Sequence, residues 1–425
     1  MRTTILYIFC ITLSQIGFAQ SDSTDNAQKT LAFPDFLHSV SHHNLDYAAE
    51  KFNVKMAEAE IIQAGMFPDP EISFDYANNS DKSMDLGQVF TGELGWTLEL
   101  GGKRKARIGV AESEKVISEL ALADYFQNLR AEAGMLYIEA MEKKAVWDLQ
   151  EKNYESMLQL SQADSIRHSL GEISEIDAIQ SRLEVNIIRN DVWDAETDWK
   201  NAFQKLFIMM GPSSETDFTS ISKDFFSFNK DYGLNYLLEK AYKNRADLAL
   251  AEEDIQLADR FIALAKANRK IDIDLSVGIE TNTEATNHIA ETPAFTSYQA
   301  GIAIPLKFSN KRSSEKKIAE YESEVKKLNL LSLKREVENE IAEAFNDYQN
   351  QIKKTNAYQN DLNLHAKKVL DGKVYSYQRG EISLLEVINA QRTYNEVMEE
   401  YYNTLAETAK AFIELQRVSG IWEID

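Results

Sequence analysis

The chain has 425 residues, 27% of them charged and 10% aromatic, which excludes compositional disorder and leaves room for two or three compact domains or one elongated repeat molecule. A formal net charge of −22 argues against nucleic acid as a partner, because phosphate binding needs a basic surface. The same charge suits an acidic aqueous lumen that concentrates cations, or simply a solvated surface.

Residues 1–19 read as a secretory signal: Arg2 is a minimal positive region, Ile5 to Ile16 is mostly apolar, and Gly17-Phe18-Ala19 offers small residues for cleavage after Ala19. The only cysteine, Cys10, falls inside that stretch, so the mature chain is expected to have no thiol for disulfides, metal ligation or acylation. After the signal there is no run of about 18 apolar residues, so no transmembrane helix is expected. An exported chain of this kind is soluble or crosses a membrane as strands.

A polar leader (20–33) precedes a helix that Pro34 opens and that runs to about Ala64, where Gly65, Pro68 and Pro70 stop it. The period then changes from helical to alternating. Ile72, Phe74 and Tyr76, then Leu94, Trp96, Leu98 and Leu100 after a polar loop, predict a strand pair over 71–100. From Lys103 to about Leu170 the apolar stride is three or four with no proline, a helix of roughly 100 Å if continuous. A turn at Gly171 reverses it into a second helix that Gly211-Pro212 ends.

After a linker (212–233), the order repeats over 234–420: a helix to about Ala267, a strand pair over 271–306, and a long helix from Lys311 that turns at Gly380 and returns to Gly420. The letters Gly-Glu-Ile-Ser recur 209 positions apart, and the same shift carries Gly211 onto Gly420. Matched helix ends on both sides of a matched turn predict an internal duplication, 34–211 and 234–420, with a short tail at 421–425. All six prolines lie outside the expected helix interiors, where each would cost about 3 kcal/mol.

Four strands of ~10 residues have the length to cross a bilayer at a tilt, but four cannot close a barrel, and an open edge is not tolerated in lipid. Several copies must therefore join. The competing expectations are two soluble hairpins, or an exported coiled-coil structural protein that leaves the paired strands unexplained.

The order of elements, the run Leu98-Glu99-Leu100-Gly101-Gly102-Lys103-Arg104-Lys105-Ala106-Arg107 and the tip Gly-Glu-Ile-Ser together resemble the TolC-like outer membrane efflux family over nearly the whole mature chain. Gln63 to Ser73 and the Gly-Gly-Lys-Arg run look most like its heavy-metal (cobalt-zinc-cadmium and copper) branch, although many family members have Asn-Pro where Asp69-Pro70 stands here. The resemblance implies a mainly α fold with a small transmembrane β part, in which a homotrimer builds a twelve-stranded outer-membrane barrel above a long α-helical barrel in the periplasm. It also implies a periplasmic adaptor and an inner-membrane RND-type pump as partners, outer-membrane lipid as surroundings, and passive export, with heavy-metal cations as cargo. Drug export or type I protein secretion on the same fold is the alternative.

The tip residues Gly171, Glu172, Ile173 and Ser174, with Gly380, Glu381, Ile382 and Ser383, are where the resemblance places adaptor docking. Asp177 and Glu386, each six residues past a tip glycine, and Asn389 one turn on, match the family's constriction; Gln180 is the counterpart of Asn389. In a trimer these carboxylates would crowd one ring and favour bound cations or raised pKa values, the alternative being outward-facing, solvated acids. The basic cluster Lys103, Arg104, Lys105 and Arg107 opens a helix, the wrong end for positive charge, so either lipid headgroups or acids of a neighbouring chain compensate it, or it is a solvated basic turn. His42-His43 has no spaced third ligand and is not read as a metal site. No His-Glu-x-x-His or Gly-x-Ser-x-Gly occurs, and Gly102-Lys103 lacks the rest of a phosphate loop, so neither catalysis nor a cofactor is expected.

Overall fold

The computed structural model describes residues 29–79, 85–212, 218–222, 230–306 and 312–424; the expected signal 1–19 and cleavage site lie outside the described residues. In chain order the elements are β1 (Lys29–Leu31), α1 (Phe33–His43), α2 (Leu45–Ala64), β2 (Glu71–Asn78), β3 (Gln88–Leu98), α3 (Lys103–Ser169), α4 (Glu175–Met210), β4 (Phe218–Ile221), α5 (Leu234–Asn244), α6 (Ala246–Asn268), β5 (Ile273–Asn282), β6 (Phe295–Ala303), α7 (Ser313–Ala357), a π-helical turn (Tyr358–Leu362), α8 (Asn363–Gln378) and α9 (Leu384–Val418). The 67 residues of α3 make a rod of roughly 100 Å. At one end lies an antiparallel sheet in the order β2-β3-β5-β6, and at the other end lie the two helical turns.

Four expectations about continuity are corrected. The helix expected over 34–64 breaks at Asn44, whose side chain caps α2 by accepting the Tyr47 N–H at 2.9 Å and donates to the Met209 carbonyl at 3.1 Å. The helix expected from 234 breaks at Arg245, whose guanidinium donates to Asp247, to Glu340 and to the Val418 carbonyl at 3.0 Å. In both places the end of a returning helix leaves carbonyls without intrahelical partners, and the break residue supplies a donor. The leader and linker contribute β1 and β4, which pair in parallel. Finally, the second long helix contains the π turn at Tyr358–Leu362, where one residue too many is accommodated without a proline.

The main core sits halfway along α3, where the two halves meet. Leu31, Phe33, Phe36, Val40, Tyr137, Leu206, Tyr348, Phe412 and Leu415 pack there with almost no exposure. Burying each large side chain is worth about 1.5–3 kcal/mol. Tyr137 donates to the Leu31 carbonyl at 2.9 Å and Tyr348 to the Lys230 carbonyl at 3.0 Å, so each half uses a buried tyrosine to hold a connecting segment against its long helix. A smaller cluster of Met157, Val185, Ile188, Tyr377, Leu384, Val387 and Ile388 lies near the turns. No described helix is long and apolar enough to cross a membrane.

Candidate functional site

Strand register divides the sheet into two chemically opposite faces. Ile72, Leu94, Val277 and Ala300 lie in one row across the four strands, and Phe74, Gly92, Ile279 and Tyr298 lie in another on the same face. The alternate rows hold Ser73, Glu93, Gly278 and Gln299, then Asp75, Thr91, Glu280 and Ser297. The apolar face is uncovered, with Phe74 83% and Tyr298 85% exposed. An uncovered apolar face this wide marks a surface meant for lipid or another chain. The polar face carries Glu71, Asp75, Glu93, Asp274 and Glu280, and β2 and β6 are the sheet's edges.

Below the sheet, the basic cluster finds its compensation within its own chain. Lys103 is buried and pairs with Asp272; Arg107 holds Glu99 through two bonds of 2.5 and 2.8 Å and the Met66 carbonyl at 3.2 Å. Arg104 donates to the Gly65 carbonyl at 2.5 Å and lies 4.6 Å over the Phe67 ring. These contacts fasten the strand-to-helix joint to the segment before β5 and to the loop before β2. Lys105 alone of the four points to solvent as an exposed side chain without a partner among the described contacts.

At the far end, Gly171 and Gly380 have φ of +78° and +77°, in the left-handed region where a Cβ is strained. A Cβ at either would meet nothing within 4 Å, so positive φ and not crowding is what requires glycine. Each glycine closes the same motif. Its own N–H bonds back three residues, to His168 or Tyr377, while the next N–H, of Glu172 or Glu381, bonds to the Arg167 or Ser376 carbonyl. Ser174 and Ser383 then start the returning helices, and Ser174 Oγ accepts the Asp177 N–H at 3.1 Å. Glu172 faces Arg167 at 3.4 Å, Glu381 pairs with Arg379 at 2.9 Å, and Ile173 and Ile382 are partly buried.

Asp177 and Glu386 occupy different networks. Asp177 accepts the Ser174 hydroxyl at 2.7 Å, whereas Glu386 pairs with Lys373 of α8 at 2.5 Å; Asn389 is exposed and Gln180 half-buried. Between the two turns is a cluster that sequence reasoning missed. Asp164 of α3 is fully buried and accepts the Tyr377 hydroxyl of α8 at 2.8 Å, with Arg167 3.8 Å from the carboxylate and 5.1 Å over the Tyr377 ring. Burial raises the Asp164 carboxyl above its ordinary range against the pull of Tyr377 and Arg167, and burial with the bond to Asp164 raises the Tyr377 phenol. Two further residue pairs join the second hairpin to the first: Gln391 donates to Asn153 at 2.7 Å, and Arg392 to both oxygens of Glu184 at 3.0 and 2.9 Å.

An acid-lined sheet with a bare apolar face, hung on two turned helical hairpins, is not the geometry of a catalytic pocket, and the family model for outer membrane efflux proteins matches residues 37–212 and 237–421. The chain belongs to the outer membrane efflux protein family. This efflux protein is 22% identical over 384 residues to the cobalt-zinc-cadmium resistance protein CzcC of Cupriavidus metallidurans, across 90% of this chain and 88% of that one. Its fold matches that of the CusC channel with a TM-score of 0.73 at 17% identity, covering 92% of both chains. It also matches the Campylobacter jejuni CmeC outer membrane channel with a TM-score of 0.73 at 14% identity, covering 91% of this chain and 85% of the other. At such identities the structural likeness shows a shared TolC-like fold. The family is one of efflux channels and not of enzymes.

Several residues of this efflux protein that join its parts gave no signal a motif search would register. Asp164 is seven residues before Gly171 and Tyr377 three before Gly380, so each sits one or two turns above its tip; nothing local says that they touch. Asp272 and Glu99 could have been proposed as partners of the basic cluster, being the acids beside it in the two strand pairs.

Proposed function

We propose that three copies of this chain form a passive exit duct in the outer membrane, each contributing four strands to a closed twelve-stranded barrel and two helical hairpins to a periplasmic tunnel. The observation that carries this reading is the four-stranded sheet with one bare apolar face, one acidic face and two edges. Edges in lipid must be paired, and pairing β6 of one copy with β2 of the next satisfies both at once. The apolar rows then meet acyl chains and the acidic rows line the pore. Lys105 faces the headgroup zone, while Lys103, Arg104 and Arg107 hold the joint beneath it.

The turns at Gly171 to Ser174 and Gly380 to Ser383 are the docking end for a periplasmic adaptor, which couples the duct to an inner-membrane RND-type pump. Asp177, Glu386 and Asn389 line the constriction at this end, and the cross-hairpin bonds from Tyr377, Gln391 and Arg392 hold its resting shape. Heavy-metal cations are the cargo that the likeness to CzcC supports. The two matched stretches and their common element order support descent by duplication.

Phe74→Arg and Tyr298→Arg each put a cation on the lipid face, at a cost of about 2–4 kcal/mol near mid-bilayer, whereas Ser73→Arg faces water. Outer-membrane fractions should therefore contain heat-modifiable trimers of Ser73→Arg and little of the other two, and planar bilayers should show a cation-preferring conductance. A water-soluble monomer extracted without detergent, or equal assembly of all three variants, ends the reading. With Asp177→Ala and Glu386→Ala combined, block by millimolar divalent cations should weaken.

A further inference from the structure

Helix α1 carries three histidines that the duct reading does not use, and only two of them are placed alike. His38 and His42 are one helical turn apart, both exposed, with imidazole centroids 4.2 Å apart and planes within 23° of parallel. His43 is rotated about 100° further round the helix, its ring 6.4 Å from that of His42 and its Nδ1 3.4 Å from Ser39 Oγ. The adjacent pair His42-His43 that stands out in the sequence is thus the wrong pair, because neighbouring residues diverge and residues four apart converge.

The hydrogen bonding of His42 prepares it as a ligand. Its Nδ1 lies 2.9 Å from the His38 carbonyl oxygen and 2.9 Å from Ser41 Oγ, and the Ser41 hydroxyl itself donates to that carbonyl at 2.8 Å. A carbonyl oxygen only accepts, so in the tautomer that donates to it from Nδ1 the Nε2 lone pair is left facing solvent. A carbonyl that fixes the imidazole tautomer in this way is the usual outer partner of a metal-bound histidine. The backbone beneath is rigid: Phe33 and Phe36, on the opposite face of α1, pack on the Tyr137 ring at centroid distances of 5.2 and 5.7 Å.

We propose that His38 and His42 form a two-nitrogen chelate for a borderline divalent transition-metal ion on the outer, mid-height surface of the duct. Two imidazole nitrogens bound at ~2.1 Å to one ion stand about 3 Å apart, which small rotations of rings already side by side can reach. Among the described residues no cluster of three or more His, Cys, Asp or Glu side chains could hold an ion, so water completes the coordination and the ion exchanges readily. Two neutral nitrogens and open positions rank ions by ligand-field strength: Cu²⁺ binds tightest, Ni²⁺ and Zn²⁺ less, Co²⁺ weaker still, and Mg²⁺ and Ca²⁺ do not compete. The site lies at the level of Tyr137, halfway along α3, far from both the sheet and the turns.

The test is titration of the full, metal-stripped chain in detergent with Cu²⁺, followed by calorimetry and electron paramagnetic resonance. One ion per chain in the micromolar range, with nitrogen hyperfine structure and a rise in melting temperature, is the expected result. His38→Asn and His42→Asn should each weaken binding by at least about tenfold, the loss of one arm of a chelate, while His43→Asn leaves it unchanged. Because all three side chains are exposed, metal-free melting curves should coincide, which separates lost binding from lost folding. No saturable site in the wild type, or a site indifferent to His38 and His42, overturns the proposal. Binding by a chain that forms no channel would sink the duct reading and leave this site standing; a conducting chain that binds no copper does the reverse.

Discussion

The two helical hairpins end in the same turn, yet they are held differently. In the first, α3 runs unbroken for 67 residues and packs along α4, α2, α6 and α9; in the second, α7 gives way after 45 residues to a π turn, and the 16-residue α8 beyond it rests chiefly on α9. The break before the sheet differs as well. The first half closes it with the neutral Asn44 on the Met209 carbonyl, and the second with the cationic Arg245 on the Val418 carbonyl, a position 209 residues later. Equal backbone ends thus tolerate unequal side-chain chemistry, provided that a donor reaches the same orphan carbonyl. The long helix of the first hairpin thus has four helices along it, whereas α8 adds to its packing on α9 the small apolar cluster near the turns and a few polar bonds to the first hairpin.

The largest effect expected from breaking this comparison comes at Arg245. Arg245→Ala strands Asp247, Glu340 and the Val418 carbonyl, and should cost about 2–3 kcal/mol, less than the ~3–5 of a fully buried pair because both carboxylates keep some water. The corresponding Asn44→Ala should cost only about 1 kcal/mol, the worth of a helix cap. Thermal unfolding in detergent, followed by circular dichroism, compares the two; equal losses would show that the charge in the second half adds nothing.

Next in size are Gly171→Val and Gly380→Val. Each forces a β-branched residue to positive φ at a cost of about 1–3 kcal/mol, with no clash inside the chain because the space around both is open. The damage should therefore be local. Hydrogen exchange should rise at the turn while the mid-height core stays protected, and efflux in cells should fall if the turn is the docking end.

Tyr377→Phe removes one hydrogen bond to a buried carboxylate and should cost about 1–2 kcal/mol, seen as faster exchange in α8 than in α3. The sign of the pH effect follows from Asp164. Burial raises its folded pKa above the ordinary 3.8, so the native chain holds the proton more tightly than the unfolded one. Its contribution is greatest below that ordinary value and is lost as pH rises through the raised one. Asp164→Asn should flatten this slope and be no less stable than wild type at about pH 8; a slope that survives the substitution would assign the effect to another group.

Much of this protein was decided by local sequence. The switch from a three-or-four stride at Ile61 and Ile62 to alternation at Ile72, Phe74 and Tyr76, and the glycines that end α3, α4, α8 and α9, set element types and turns because period and positive φ are properties of a few neighbouring residues. Tertiary structure alone decided the rest. Helix α1 ends at Asn44, and α5 at Arg245, because the C-terminal carbonyls of α4 and α9 arrive there from more than 160 positions away. Lys29–Leu31 becomes a strand because Phe218–Ile221 lies beside it, and Asp164 meets Tyr377 across 213 positions. Such pairings depend on which surfaces the folded rods bring into register, and no window along the chain contains both partners.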